Sequence, residues 1–381
     1  MLTPFLTDIS ILHPWQWAAL AVLAGALIVQ LFFYFYFFIR FAFYKVENEP
    51  LGTEPVSVII CAWNEEDNLR KHLESVLNQD HPQFEVIVVN DHSTDETDIL
   101  LHEWKKAFPH LHSIDLNREN ANMRGKKFAV SMGIKGAKYD RLVFTDADCH
   151  PRSDQWLRRM SAGMKNNCEV VLGYGGFEKR PGILNMLYRY EAIHIALQYL
   201  SYALAGRPYM GVGRNLAYRK ELFFKTKGFI KHRHVASGDD DLLVNEVSTG
   251  DNTTIVVSAD AHTLSAPKET LGEWWHQKRR HLTTPGLYRW ESKIFLGIYS
   301  LSAICFYGAF IAVLSIQSVY WSAFVALGVK WACHLSIMRG TTRILKEPDL
   351  FLFSLLGDVF SPFFNALASA SVLIKPPTAW K

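Results

Sequence analysis

The chain has 381 residues, of which 49% are hydrophobic and 20% charged, with a formal net charge of +3. So mild a charge, with no basic stripe interleaved with aromatics, leaves no electrostatic case for a nucleic-acid partner. The length suits two or three structural units, and the balanced averages hide two apolar ends around a charged middle.

Pro14 to Ile39 carries no charge over 26 residues, enough to cross a bilayer of about 30 Å. A cleaved signal peptide fits poorly, because no Lys or Arg precedes the run and it is longer than an h-region. Arg40 and Lys45 follow it. The positive-inside rule then places the amino terminus outside and residue 46 onward in the cytoplasm of an inner-membrane protein. The expected division is an anchor over 1–45, a cytoplasmic domain over 46–290 and a second membrane region over 291–381.

"PVSVIICAWNEE" opens the middle part with an unbroken apolar run, the mark of a strand buried on both faces. A helix follows, with Leu69, Leu73, Val76 and Leu77 on one side. "FEVIVVNDHSTDET" repeats the plan, and Ser93 and Glu96 have the spacing of a capping box. "HSIDL" is a candidate short strand, "RGKKFAVSMGIKGA" a helix and "RLVFTDADC" another strand. Alternating strands and helices predict an α/β fold with a mostly parallel sheet and right-handed crossovers.

Ligands of such sheets bind outside the carboxyl ends of the strands. Asn64 and Glu65, then Asp91, then Asp146 and Asp148 fall at three such ends. Any one of them alone is equally a turn residue. Asp146 and Asp148 point the same way if the extended conformation persists past the strand. Two carboxylates so close raise one another's pKa unless a cation lies between them. A hard divalent ion, completed by phosphate oxygens, is the natural partner. The plainer alternative has both residues capping a helix after Pro151.

Residues 183–206 are more apolar than a surface helix should be; they either line an entry beside the bilayer or form an ordinary core helix. "ETLGEWWHQKRRHL" reads as an amphipathic helix near the membrane, with Trp274 and Trp275 suited to an interface. Gln277 and Arg280 share one of its faces. A plain basic anchor explains Lys278, Arg279 and Arg280 equally well. Three further apolar runs follow: Ile294 to Ile316, Gln317 to Met338 broken by Lys330, and Leu350 to Ile374 broken by Asp358. Counted from the cytoplasmic edge, Lys330 and Asp358 both lie eight residues inside, which suggests an ion pair between the last two spans. The alternative is a snorkelling Lys330 and a last segment broken at Pro362. Five scattered cysteines without CxxC spacing fit reduced thiols rather than a disulfide frame.

Six of these segments, in order, resemble the inverting family 2 glycosyltransferases of the GT-A fold. "VSVIICAWNEEDNL" is similar to the family's opening strand, and "VVNDHSTDET" to its Asp-Asp-Gly-Ser-Thr-Asp turn with Asn90 at the first Asp. "RGKKFAV" resembles its Gly-Lys-Ala helix start, and "TDADC" its DxD metal motif. "SGDDDLL" is similar to the segment carrying the base. "QKRRH" resembles the Gln-x-x-Arg-Trp motif of the membrane-bound branch, with His281 for Trp.

The resemblance spans about residues 55–285. It implies Ala62, Asn64, Glu65 and Asp91 around nucleoside base and ribose, and Lys126 near donor phosphate. It further implies Asp146 at ribose or sugar, Asp148 as ligand of Mg²⁺ or Mn²⁺, Asp240 as general base, and Gln277 and Arg280 toward diphosphate and acceptor. The crowd of Asp239, Asp240 and Asp241 would raise the pKa of such a base; a helix start explains the same acids. The expected reaction moves a sugar from a nucleotide-diphosphate sugar to a lipid, lipid-linked or glycan acceptor at the cytoplasmic face. Processive polysaccharide synthesis coupled to export and a catalytically silent membrane scaffold are the alternatives.

Overall fold

The computed structural model describes residues 12–46, 50–116, 125–235, 237–375 and 377. The first eleven residues of the expected anchor, and Arg124 of "RGKKFAV", lie outside them. Among the described residues there are ten strands: β1 (Val56–Ala62), β2 (Phe84–Asn90), β3 (Leu111–Asp115), β4 (Arg141–Phe144), β5 (Cys149–Pro151), β6 (Val170–Gly173), β7 (Gly175–Phe177), β8 (Leu216–Arg219), β9 (Thr253–Val256) and β10 (Thr263–Ser265). Seven form one sheet in the order β3-β2-β1-β4-β8-β6-β9, and β5-β10-β7 form a second. β3, β2, β1 and β4 run parallel, while β8 is antiparallel to both of its neighbours. The expected mostly parallel α/β sheet is present, "HSIDL" included.

Twelve helices surround the sheets among the described residues: α1 (Pro14–Ala42), α2 (Glu66–Leu77), α3 (Thr97–Ala107), α4 (Lys126–Gly136), α5 (Trp156–Gly163), α6 (Ile183–Leu204), α7 (Lys220–Lys225), α8 (Asp241–Val247), α9 (Leu271–His281), α10 (Trp290–Leu314), α11 (Tyr320–Ile344) and α12 (Leu350–Ile374). β1 shows why its run lacks alternation. Val56, Val58 and Ile60 pack toward Leu69, Leu73 and Leu77 of α2 and Trp156 of α5, whereas Ile59 joins Ala129, Val130 and Ile134 of α4 on the other face. Burying both faces favours apolar side chains along the run; the polar exception, Ser57, is buried with its hydroxyl donated to Glu85 at 2.6 Å.

α1, α10, α11 and α12 are long and apolar enough to cross a membrane, one before the sheet and three after it. α12 continues as one helix through Pro362. Lys330 of α11 pairs with Asp358 of α12, as the equal depths predict; Tyr307 of α10 donates to the same carboxylate, and His334 Nδ1 stands 3.7 Å from it.

The core of the sheet domain does not stop at these helices. Phe37 of α1 stacks on Tyr202 of α6 with ring centroids 4.1 Å apart. Gly340 of α11 lies so close to Ala42 that a Cβ there would sit 1.9 Å from its carbonyl oxygen. Arg189 of α6, 1% exposed, pairs with Glu347 and, at 2.9 Å, with Asp349, both in the turn between α11 and α12. α6 is therefore core, and one of its faces also lines a cavity.

Two local expectations fail. The capping box at Ser93 does not form: the Ser93 hydroxyl accepts the N–H of Asn64 at 2.9 Å, and Asp95 accepts from Thr97 and Glu66 instead. Trp274 is not an interfacial side chain but buried, stacked on Phe364 of α12 at 4.6 Å. All five cysteines are free thiols.

Candidate active site

The carboxyl ends of β1 and β4 open onto a cavity of about 1350 Å³, which continues between α6, α9, α10 and α12. Asn64, Glu65, Lys126, Asp146, Asp148, Asp240, Gln277 and Arg280 all line it. Ala62 and Asp91 do not: both are buried behind the wall. Asp91 accepts the Gly125 N–H at 3.2 Å and meets His92 Nδ1 at 2.7 Å, so its carboxylate is spent on joining two turns. Asn64 and His92 themselves take left-handed backbone conformations, φ 53° and 60°. Asn tolerates that region better than most residues, and such turns gather at ligand sites.

β4 ends at Phe144, so the extended conformation does not persist to Asp146 and Asp148. A turn closed by Cys149 N–H to Asp146 O at 3.1 Å brings them together instead. One ligand atom from each of Asp146, Asp148 and Cys149 lies within 4.8 Å of the others. The two carboxylates do not cap a helix after Pro151, since α5 begins only at Trp156.

The two acids differ in setting. Burial opposes ionisation of Asp146, but Lys126 Nζ at 2.8 Å holds its carboxyl below the ordinary value. Asp148 is raised by burial and by the charges of Asp146 and Glu65. An acid raised by neighbouring carboxylates is one that a divalent cation would relieve, and hard oxygen donors suit Mg²⁺ or Mn²⁺. The Cys149 thiol fits such an ion badly: it is soft, and burial and Asp148 push its pKa up.

Lys126 also lies 3.1 Å from Asp239, so one ammonium joins the β4 end to the acidic loop before α8. In that loop Asp240 accepts the N–H of Gly213 at 2.6 Å and that of Asp241 at 2.8 Å. Asp240 is thus both the N-cap of α8 and part of the cavity wall. Its recessed setting, then Asp239 and Asp241, push its carboxyl up to about 7 despite Lys126. The Asp241 carboxylate is occupied, accepting from Thr284 and from Tyr288 at 2.6 Å.

On α9, Thr270 and Glu273 form the capping box that starts the helix. Lys278 pairs with Glu191, Arg279 Nη2 reaches the backbone oxygens of Ser371 and Lys375, and Arg280 lines the cavity. None of the three is a plain membrane anchor. Sequence reasoning missed Tyr188 and the second partner of Lys126. Gly213 lies in "GVGRN", where the missing side chain leaves room for the Asp240 carboxylate against the backbone. An added Cβ there would stand 3.2 Å from Asp240 Oδ2.

Residues 57–225 match the family described as Glycosyl transferase family 2. Over 118 residues the chain is 33% identical to a poly-beta-1,6-N-acetyl-D-glucosamine synthase of Staphylococcus epidermidis, covering 30% of this chain and 27% of that protein. Over 235 residues it is 26% identical to the probable glycosyltransferase YdaM of Bacillus subtilis, covering 59% and 54%. The matched stretches thus span from about a quarter to about half the length of these relatives. The mannosyltransferase PcManGT of Pyrobaculum calidifontis, solved with GDP-Man and Mn²⁺, superposes with a TM-score of 0.58 over 91% of this chain and 99% of that one, at 17% identity. That likeness is one of fold.

Proposed function

With a family 2 glycosyl transferase domain in this chain, we propose that the protein moves a sugar from a nucleotide-diphosphate sugar onto a lipid or lipid-linked acceptor, with inversion, at the cytoplasmic face of a membrane. The observation that carries this reading is a single cavity holding both a raised carboxyl at Asp240 and the acidic pair Asp146 and Asp148, open toward membrane-length helices. A scaffold needs none of this. The proposed division of the chain remains 1–45, 46–290 and 291–381, although packing is continuous across both joins.

Asn64 and Glu65 would meet the nucleoside, with Ala62 and Asp91 shaping the turns behind them. Asp148, with Asp146 beside it, would hold Mg²⁺ or Mn²⁺, which as a Lewis acid steadies charge on the departing diphosphate. Lys126, now shared between Asp146 and Asp239, stands ready to share its charge with donor phosphate. Asp240 takes the proton from the acceptor hydroxyl; a carboxyl near 7 does this well at neutral pH. Gln277 and Arg280 approach from α9, where an arginine fork suits phosphate oxygens.

The cavity exceeds the roughly 300–1,000 Å³ of an ordinary small-ligand site, leaving room for donor and acceptor together. The same room, and the synthase among the relatives, favour polymer extension as the second reading. The test is to incubate purified protein with a panel of nucleotide-sugars and Mg²⁺ or Mn²⁺ and follow nucleoside-diphosphate release. Release from one donor, stimulated by a membrane-lipid extract, is expected; no release from any donor overturns the reading. Long products from a single primer would favour the polymerase.

A further inference from the structure

Glu191 and Tyr188 stand three residues apart on one face of α6, turned toward α9. Glu191 accepts the indole N–H of Trp274 at 2.6 Å and pairs with Lys278. Tyr188 donates its hydroxyl to Gln277 Oε1. α9, which carries Gln277 and Arg280, is thus fastened to α6 by three polar contacts, made by two α6 residues about one turn apart.

The Tyr188 ring has little freedom. It is 4% exposed, with the Phe177 ring 4.2 Å away and the Trp274 ring edge-on at 5.9 Å. Phe177 is itself covered by the Arg214 guanidinium at 4.1 Å.

A carboxamide has two chemically opposite ends, a carbonyl that only accepts and an N–H₂ that only donates. Rotation by half a turn exchanges them at almost no change of shape. The cavity that Gln277 lines holds the carboxylates of Asp146, Asp148 and Asp240 as well as the cations Lys126, Arg214 and Arg280, and in the reading above it receives phosphate and hydroxyl oxygens. Toward such oxygens only the N–H₂ end is attractive. With the Tyr188 hydroxyl on Oε1, the amide nitrogen is the end left for the cavity.

The geometry points to Tyr188 as a positioning residue, which fixes the Gln277 amide with its donor end toward the substrates. This role rests on the glycosyl-transfer reading and goes beyond it, since no segment of the sequence read as a motif contains Tyr188. Tyr188 acts through Gln277 and touches no reacting atom.

The experiment is a double-mutant cycle on nucleoside-diphosphate release with Mn²⁺. Tyr188→Phe, which keeps the ring, is expected to lower kcat/KM about 3- to 10-fold, the scale of one hydrogen bond. In a Gln277→Ala background the same substitution should change nothing further. Wild-type rates in Tyr188→Phe, or two effects that simply multiply, overturn the assignment. A spectroscopic arm reads the amide directly. In glutamine-¹⁵N-labelled protein in detergent, the side-chain resonance lost in Gln277→Ala should shift in Tyr188→Phe, and an unmoved resonance overturns the proposal. Should the wild type release nothing from any donor, the transfer reading fails by itself, while the spectrum still decides Tyr188.

Discussion

Lys126 Nζ stands 3.1 Å from Asp239, and through that contact the helix start at residue 126 governs the loop that carries Asp240. Lys126 is also the cation that lowers the proton affinity of Asp240. Lys126→Met should therefore move the acidic limb of the kcat profile to higher pH and weaken donor binding, whereas Lys126→Arg should leave the limb near its original place. Rate–pH profiles of the three proteins decide it; an unmoved limb in Lys126→Met breaks the link.

Asp240 has an ordinary carboxyl value of 3.8 and is pushed up to about 7 in the fold. A base must be unprotonated, so activity should rise with pH through about 7 and level off above it. Stability runs the other way. The folded state binds this proton more tightly than the unfolded chain, so the contribution is full below about pH 4 and is lost as pH rises through about 7. Asp240→Asn should cut turnover roughly 10²-fold or more with donor affinity nearly intact. It should also melt progressively higher than the parent as pH goes from 5 to 8. Parallel melting curves across that range would show that Asp240 does not titrate there.

Asp148→Asn removes a carboxyl that burial and the charges of Asp146 and Glu65 raise. We expect it to abolish turnover and divalent-dependent donor binding in a protein that still folds. The measurement is donor titration with and without Mn²⁺. Full activity in the variant, or in the parent under excess chelator, would sink the metal assignment.

Lys330 is fully buried and Asp358 5% exposed, and they pair between α11 and α12. Removing one partner leaves a buried charge alone, an effect of about 3–5 kcal/mol. Lys330→Met should therefore lower stability markedly, and adding Asp358→Leu should recover part of the loss. Unfolding in detergent tests this: a double variant no better than the worse single variant would mean the pair is incidental.

The sheet could be read from the chain because parallel strands buried on both faces leave apolar runs with polar ends. The DxD pair was visible for the same reason, lying just past such a run. How the two acids meet was not, because a turn rather than an extended strand sets their separation. Nor was the division of labour between them, since Lys126 reaches Asp146 from the start of a helix twenty positions earlier. Ser93 misled because a hydroxyl within reach of its own helix was also within reach of Asn64, and tertiary contact won. Depth counting worked for Lys330 and Asp358, since buried charges have few ways to be satisfied.

The seat of Arg189 has a bearing on the order in which the protein is made. Its guanidinium needs Glu347 and Asp349, which leave the ribosome some 160 residues later. Until then α6 carries a buried-type charge with no counter-ion, and the wall bearing Tyr188 and Glu191 cannot settle. Every motif that suggests catalysis has been synthesised by residue 285, yet the cavity those motifs line is completed only when the turn bearing Glu347 and Asp349 and the last long helix behind it arrive. A nascent chain stalled before that turn would hold all the chemistry and no finished chamber in which to use it.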